Sequence, residues 1–307
     1  MQTITVYAGS SGFAPETHNN AARALGHLCA EKDITLCYGG MNAGLMYLVA
    51  EACRRNNGRV IGIIPSKLRD SERVHKELDE LITVETLWER KREMYYRADA
   101  IFALPGGFGT FDEVAEILYW GVLGFHKKPM VMVNIDGYWD DFMDFFQNKV
   151  HQGTEELGKV TDFLIEATSV EDAFAKAEAW QAPAYAGKRD DRAEQLPHFE
   201  DAFSDDLLNA IIIDDASGQG VYQAATALAL RQLGKHSLPI GILNNKGAFD
   251  PLLKWIDDAS AARYITAKCT ELFAVASDQQ VLSQKLDILA KHQIDLHEEK
   301  WGDKPEF

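Results

Sequence analysis

The sequence is short of basic residues, and this shortage limits the partners that the protein can have. Lysine and arginine total 31 against 47 aspartates and glutamates, which leaves a formal net charge of −16 over 307 residues. A protein that reads nucleic acid normally carries a basic face, so the charge balance argues against nucleic acid as a partner. Any phosphate-bearing ligand therefore has to be small and bound locally.

Long apolar runs and paired cysteines are also missing. No uninterrupted apolar run reaches the ~18 residues of a membrane-spanning helix, and the first residues do not resemble a signal peptide. The 4 cysteines show no CxxC spacing, and the 9 histidines form no HxxxH or HxH pair. We therefore expect a soluble cytoplasmic protein without membrane contact, disulfides or metal, whose thiols are buried and reduced.

Short apolar runs that end in glycine alternate with segments of helical period, and this alternation predicts an α/β fold with a parallel, doubly wound sheet. In such sheets ligands bind beyond the carboxyl ends of the strands, where these glycines lie. The apolar runs cover 4–9, 34–40, 59–65, 100–107 and 129–137, and the predicted helices cover about 19–30, 44–56, 86–97, 110–123 and 139–150.

The chain changes character after residue 180 and then partly repeats itself. Residues 181–204 lose periodicity and gain charge and proline, which is typical of a linker. A shift of 110 residues aligns residues 118–140 with 228–250 at eight identical positions. We infer an internal half-repeat. The predicted domains are 1–180 and a second, smaller α/β domain over 205–307.

The stretch ALPGGFGTFDE, residues 103–113, sets three glycines where a strand passes into a helix. Glycine lets the backbone approach a ligand closely, and the first amides of a helix are free donors that favour an anion. A small phosphate ligand fits such a turn, and a tight turn without a ligand explains it as well. The spacing is neither that of a dinucleotide-binding GxGxxG nor that of a Walker loop. Two further glycine turns, AGSS (8–11) and YGG (38–40), are expected at the same crevice.

Glu113 has two interpretations from spacing alone. Thr110 and Glu113 have the separation of a capping box, in which each side chain accepts a backbone amide of the other residue. The same carboxylate, one turn from a phosphate-binding loop, is also placed to act on the sugar of a bound nucleotide. Spacing favours the cap. The neighbouring segment ERKREMYYRADA (89–100) is by default a solvated charged helix.

These motifs occur together and in order, so residues 1 to about 180 resemble the LONELY GUY (LOG) phosphoribohydrolases, a family often labelled lysine decarboxylase. The shared stretches include AGSS, YGG, ERKREM, LGFHKKP, NIDGYWD (134–140) and the complete signature PGGxGTxxE. The resemblance implies a Rossmann-like fold, a homodimer and no cofactor. It also implies hydrolysis of a nucleoside 5′-monophosphate, of the AMP or cytokinin riboside type, to the free base and ribose 5-phosphate.

The resemblance also assigns roles to residues. Arg90 and Glu113 match the catalytic pair of the family, so cap and catalysis can coexist at Glu113. In such a reaction the carboxylate stabilises the oxocarbenium-like ribose or activates water, while the loop amides bind the phosphate. Residues implied in binding substrate or phosphate are Gly9, Ser10, Ser11, Gly39, Gly40, Lys91, Met94, Gly106, Gly107, Gly109 and Thr110.

Several features leave alternatives open. Trp88, Met41 and Tyr47 replace smaller or more polar family residues, which puts the identity of the base in question. A binding protein that carries or senses a nucleotide on the same fold is the main alternative, although retention of Arg90 and Glu113 favours catalysis. A literal decarboxylase would need a Schiff-base lysine with an acidic partner, and none is recognisable. The C-terminal part could complete a pseudo-dimer, cover the crevice or recruit a partner.

Overall fold

A computed structural model describes residues 1–68, 74–150, 158–192, 194–203 and 208–291. Its main sheet contains seven parallel strands in the order β4-β3-β2-β1-β5-β6-β7. The strands are β1 (Thr3–Tyr7), β2 (Thr35–Tyr38), β3 (Val60–Pro65), β4 (Glu80–Val84), β5 (Ala100–Ala103), β6 (Met130–Val133) and β7 (Leu164–Ala167). The helices between them are α1 (Glu16–Glu31), α2 (Gly44–Arg55), α3 (Leu87–Arg97), α4 (Phe108–Val122), α5 (Asp140–Asp144) and α6 (Val170–Ala179).

This topology is the predicted Rossmann-like, doubly wound α/β fold. The strand order reverses between β1 and β5, which are hydrogen-bonded neighbours with Tyr7 opposite Ala103. Ligands of such sheets bind in the crevice at this switch point. The AGSS turn follows β1 and the PGGFGT turn follows β5, so both predicted turns flank it.

Two strands of this sheet escaped prediction. In β4 exposed and half-buried residues alternate, because the strand lies at the sheet edge. In β7, at the opposite edge, three of the four residues are only half buried. Neither strand has the continuous apolar run that marked the central strands, since a run of that kind requires burial on both faces.

A second, three-stranded parallel sheet has the element order that the predicted half-repeat requires. Its order is β10-β9-β8, and its elements follow the chain order of β5 to α6. They are β8 (Ile211–Ile213), α7 (Gly218–Gln232), β9 (Ile240–Leu243), α8 (Asp250–Ala261), β10 (Phe273–Ala276) and α9 (Gln279–Leu289). The copies of β1 to β4 are absent from the described part of this unit, so β8 is an edge strand.

The described part of the predicted linker packs against the first unit, which is the part of the chain from β1 to α6. The Trp120 indole donates to the Pro197 carbonyl at 2.8 Å, and the Tyr95 hydroxyl donates to Asp191 at 2.5 Å. Leu196 is buried. The segment is therefore a packed strap, and charge and proline content did not reveal its contacts. Buried side chains of both units form one contiguous core, and the division into two domains stays a prediction.

Two expectations from composition can be compared with the structure. All four cysteines are free thiols and buried, as predicted. No helix within the described ranges is both long enough and apolar enough to cross a membrane.

The packing of α1 on α2 gives a stability prediction with a defined sign. A Cβ on Gly26 would lie 2.1 Å from the Val49 carbonyl oxygen and 2.8 Å from the Cys53 nitrogen. Helix propensity alone predicts that Gly26→Ala stabilises by about 1 kcal/mol, whereas overpacking costs about 1–3 kcal/mol. We therefore expect Gly26→Ala to lower the free energy of unfolding, which urea denaturation measures. Ala24→Gly on the exposed face of α1 is the control and should lose about 1 kcal/mol.

Candidate active site

The turn after β5 leads directly into α4, which begins earlier than predicted. The helix starts at Phe108 with Gly107 as its N-cap, and no side chain caps it. The expected capping box of Thr110 and Glu113 is therefore wrong. Thr110 already lies within the first turn, and its hydroxyl oxygen lies 2.1 Å from the position of a Cβ on Gly106. Glu113 is thereby free to face another partner.

The three glycines of this turn differ in what requires them. A Cβ on Gly106 would meet Thr110, and one on Gly107 would lie 2.6 Å from the Tyr264 carbonyl oxygen. A Cβ on Gly109 would have nothing within 4 Å, and its backbone is helical. Packing therefore explains two of the glycines. Gly109 leaves open space at the amino-terminal end of α4, where the unpaired backbone amides favour an anion.

The three predicted glycine turns converge. The Gly9 amide donates to the Pro105 carbonyl at 3.0 Å, which joins the AGSS turn to the turn after β5. The Leu45 amide donates to the Gly9 carbonyl at 3.0 Å, which joins it to the start of α2. Ser10 is exposed, and the Ser11 hydroxyl accepts the Phe13 amide at 3.2 Å.

Arg90 is fixed in the third turn. A capping box of Thr86 and Glu89 begins α3, and the side chain of Arg90 contacts the carboxyl-end region of β2 and β3. Its Nε donates to the Ile63 carbonyl at 3.0 Å, and its Nη2 lies 1.6 Å from the position of a Cβ on Gly39. Any side chain at Gly39 would displace the guanidinium. Gly40, the next residue of this turn, has a φ of +69°, which lies in the left-handed region that favours glycine.

Arg90 and Glu113 face each other, as the catalytic hypothesis requires. The Arg90 Nη1 and the Glu113 Oε1 are 3.8 Å apart, and the two side chains are 15% and 12% exposed. Burial raises the pKa of the Glu113 carboxyl to about 7, although the Arg90 charge opposes the rise. The carboxyl is thus divided between its two protonation states at neutral pH, which suits an acid or base catalyst.

Two residues implied in substrate binding are placed elsewhere. The Lys91 ammonium is 4% exposed and lies 2.9 Å from Asp112, 3.2 Å from Glu116 and 3.2 Å from Glu200. Burial alone would lower the pKa of the Lys91 ammonium, but the three carboxylates outweigh this effect and raise the pKa above its ordinary value. Met94 is 1% exposed and belongs to the core. Neither side chain lies where the expectation put it. Lys91 is adjacent to Arg90 on α3 and therefore points to a different side of the helix, and Met94 is enclosed by the core.

The three departures from the family pattern also receive places. Trp88 stacks on His198 of the strap with ring centroids 4.3 Å apart. Tyr47 packs edge to face on His75 at 5.4 Å, and Met41 pairs with Val74 across a bridge. Met41 and Tyr47 thus shape the walls behind the YGG turn.

Aromatic residues near the turn were missed by sequence reasoning. The Tyr138 hydroxyl donates to the Gly106 carbonyl at 2.5 Å, and His18 packs edge to face on Tyr138. Tyr138 lies in the shared motif NIDGYWD, which was the available signal. Tyr264 reaches the site from the C-terminal unit, 246 positions from its partner His18. No sequence pattern indicated that contact.

Fold and site together define a Rossmann-like α/β protein with an anion-ready glycine turn beside a buried arginine–glutamate pair. No group of three metal-ligating side chains occurs in the part of the chain that the structure describes.

Comparison with known proteins identifies the family. A family model described as "Possible lysine decarboxylase" matches residues 46–177 and 220–286, which is more than half of the chain and includes part of each unit. The chain belongs to this family.

Curated relatives carry a more specific name. The chain is 42% identical over 153 residues to a cytokinin riboside 5′-monophosphate phosphoribohydrolase of Arabidopsis thaliana, covering 50% of this chain and 72% of the relative. It is 36% identical over 209 residues to the enzyme of that name from Oryza sativa subsp. japonica, covering 67% and 83%. Among solved structures, the molybdenum cofactor binding protein of Rippkaea orientalis is 24% identical with a TM-score of 0.47, covering 58% of this chain and 96% of that one.

The raised pKa of Glu113 predicts a pH-dependent gain in stability on its replacement. The folded-state pKa of about 7 exceeds the ordinary 4.5, so stability falls as pH rises through this window and stays low above it. We expect Glu113→Gln to stabilise the protein at pH 8 by roughly 1–3 kcal/mol and by little at pH 4.5. Urea unfolding at both pH values measures this. Glu178→Gln on the exposed face of α6 is the control and should show no such difference.

Proposed function

We propose that the protein hydrolyses the N-glycosidic bond of a nucleoside 5′-monophosphate and releases the free base and ribose 5-phosphate. The relatives that are named for this reaction on cytokinin riboside 5′-monophosphates support the substrate class. The observation that carries the proposal is the buried Arg90–Glu113 pair, 3.8 Å apart, with Glu113 one turn of α4 after Gly109, where a Cβ would have no neighbour within 4 Å. Cytoplasmic localisation and a homodimer remain predictions from the sequence and the resemblance.

The phosphate would bind at the first turn of α4. The amides there are donors without a side-chain cap, and Gly109 leaves room for a ligand oxygen. Binding the phosphate anchors the sugar, so that energy from a remote group positions the reacting bond. A nucleoside without phosphate should therefore be a much poorer substrate.

The reaction itself needs a carboxylate. As the base departs, positive charge develops on the ribose, and an ionised Glu113 can stabilise that charge or accept a proton from the attacking water. Arg90 holds the carboxyl in position and favours its ionised form. The carbonyl of Ile63 and the backbone of Gly39 hold Arg90 in turn, so the pair is preorganised.

The residues of this site do not fit the decarboxylase reaction that the description of the family model names. A Schiff base forms from a neutral amine, yet the Lys91 ammonium contacts three carboxylates that keep it charged. Arg90, the cation next to Lys91 on α3, carries a guanidinium group and cannot form a Schiff base. The site therefore supports glycosidic hydrolysis and not amine chemistry.

The pH profile tests the role of the pair. If the ionised Glu113 acts, kcat/KM for AMP rises with pH and levels off above about 7. Arg90→Ala removes the charge that lowers this pKa, so the rise should move to higher pH while the rate falls by about 10²–10⁴-fold. Release of adenine is the measurement. A Glu113→Gln protein that still hydrolyses AMP would contradict the catalytic role. An unaltered protein that binds AMP but never releases adenine would be a carrier.

Gly109 separates ligand binding from folding. Because a Cβ fits there without contact, Gly109→Ala should fold with unchanged or slightly higher stability, yet its methyl group intrudes on the phosphate. We expect KM for AMP to rise at least about tenfold, equivalent to one lost charge-assisted contact. Gly106→Ala is the matched comparison and should lose stability, since its Cβ meets Thr110. An unchanged KM in Gly109→Ala would place the phosphate elsewhere.

A further inference from the structure

The interface between the two units is reciprocal about their repeat. Adding 110 converts Asp112 into Tyr222 and Glu116 into Thr226. Thr226 donates to Asp112 at 2.6 Å, and Tyr222 donates to Glu116. Exchanging the two units turns either contact into the other.

The aromatic contacts between α5, α8 and their flanks obey the same exchange. Trp139 stacks on Trp255 with ring centroids 5.7 Å apart. The exchange converts this pair into Phe249 and Phe145, which pack at 5.9 Å. Reciprocal contacts of this kind define an isologous, two-fold interface, which normally joins two subunits. Here one chain supplies both sides.

The two units contribute unequally to chemistry. Each glycine turn faces the other unit: Gly107 meets Tyr264, and Gly218 lies close to Val160 and Tyr119. The second turn has Gln223 where the first has Glu113. The second unit also lacks a counterpart of the α3 arginine among its described elements. It therefore forms a wall and not a second active site.

Tyr264 is the residue by which this wall reaches the first turn. Its ring lies 2.6 Å from the position of a Cβ on Gly9, and its carbonyl oxygen lies 2.6 Å from that on Gly107. Its hydroxyl is 2.8 Å from the Nδ1 of His18, a buried histidine whose pKa is lowered by burial. Tyr138, which donates to Gly106, packs edge to face on the same ring at 5.1 Å.

We propose that the C-terminal unit takes the place of a second subunit, and that its Tyr264 is a positioning residue that holds the phosphate-binding turn of the same chain. This inference rests on the proposed function for the identity of the ligand. Because α7 already covers α4, a homodimer, if formed, uses a different surface. One chain then contains every residue that the site needs.

Binding of ribose 5-phosphate tests the positioning role even if no hydrolysis occurs. Tyr264→Phe keeps the ring on Gly9 and removes the hydroxyl that contacts His18. We expect its calorimetric Kd for ribose 5-phosphate to rise about fivefold, the worth of one neutral hydrogen bond, while binding of free adenine is unchanged. Tyr264→Ala should show a larger loss for the same ligand. Tyr119→Phe removes a tyrosine hydroxyl that donates to Gln219 next to the second turn, at 3.2 Å. It is the control and should bind normally.

Mixing two defective full-length chains tests completion within one chain. Tyr264→Ala and Glu113→Gln, each weakly active or inactive on AMP, should remain so after joint unfolding and refolding. If Tyr264 instead served a neighbouring chain, mixed dimers would regain about one quarter of the wild-type sites by random pairing. Recovery, or normal ribose 5-phosphate binding in both Tyr264 variants, would overturn the proposal.

The outcomes separate this proposal from the proposed function. Hydrolysis by the unaltered protein with unchanged Tyr264 variants refutes the positioning role alone. Ribose 5-phosphate binding that depends on Tyr264 without hydrolysis refutes the enzyme activity alone. No binding of AMP or ribose 5-phosphate refutes both.

Discussion

Burial of α4 on nearly every side is the constraint from which the rest of the site follows. Twelve of its fifteen residues are buried, Asp112 and Glu116 among them, and Glu113 is only 12% exposed. Removing carboxylates from water is unfavourable unless partners replace the lost hydration. Each acid therefore has a partner on a neighbouring element. These partners, Arg90 and Lys91 on α3 and Tyr222 and Thr226 on α7, hold those two helices against α4.

The two sides of α4 use this constraint differently. On one side Lys91, Thr226 and Tyr222 supply hydrogen bonds and charge to Asp112 and Glu116, which ties the C-terminal unit to the first unit. On the other side Glu113 faces Arg90 at 3.8 Å, and burial raises its pKa to about 7. Burial raises the pKa of Glu116 as well, to about 8, but that side chain is 0% exposed and cannot meet a ligand. An acid that is incompletely compensated is a cost to stability and an advantage to catalysis. The helix thus separates a structural from a chemical function by direction alone.

The half-repeat explains how a chain of this family gained this arrangement without a second active site. A complete second copy would supply a second β1 and α3 and hence a second set of turns. The described part of the copy begins with the counterpart of β5, so it keeps the helices that pair across the interface and lacks a counterpart of α3, the helix that carries Arg90. Duplication of an interface is sufficient to bury α4, because burial requires only the facing surface.

The sequence by itself determined the central strands, the helices between them, the parallel order of the sheet and the half-repeat. These features follow from local periodicity and from glycine at strand ends, which are properties of neighbouring residues. Edge strands β4 and β7 escaped because one-sided burial leaves no continuous apolar run. The motif PGGxGTxxE pointed to Glu113, although spacing alone suggested a cap.

Only the tertiary structure decided which side chains meet. Arg90 and Lys91 are adjacent in sequence, yet one reaches Glu113 and the other a buried acidic cluster, because successive helical positions are about 100° apart around the axis. The roles of Gly106, Gly107 and Gly109 differ by what lies within 4 Å of each, and no sequence spacing contains that information. The contact of Tyr264 with His18 spans 246 positions and depends on the docking of one unit on the other. Long-range packing of this kind is a property of surfaces, which the order of residues along the chain does not display.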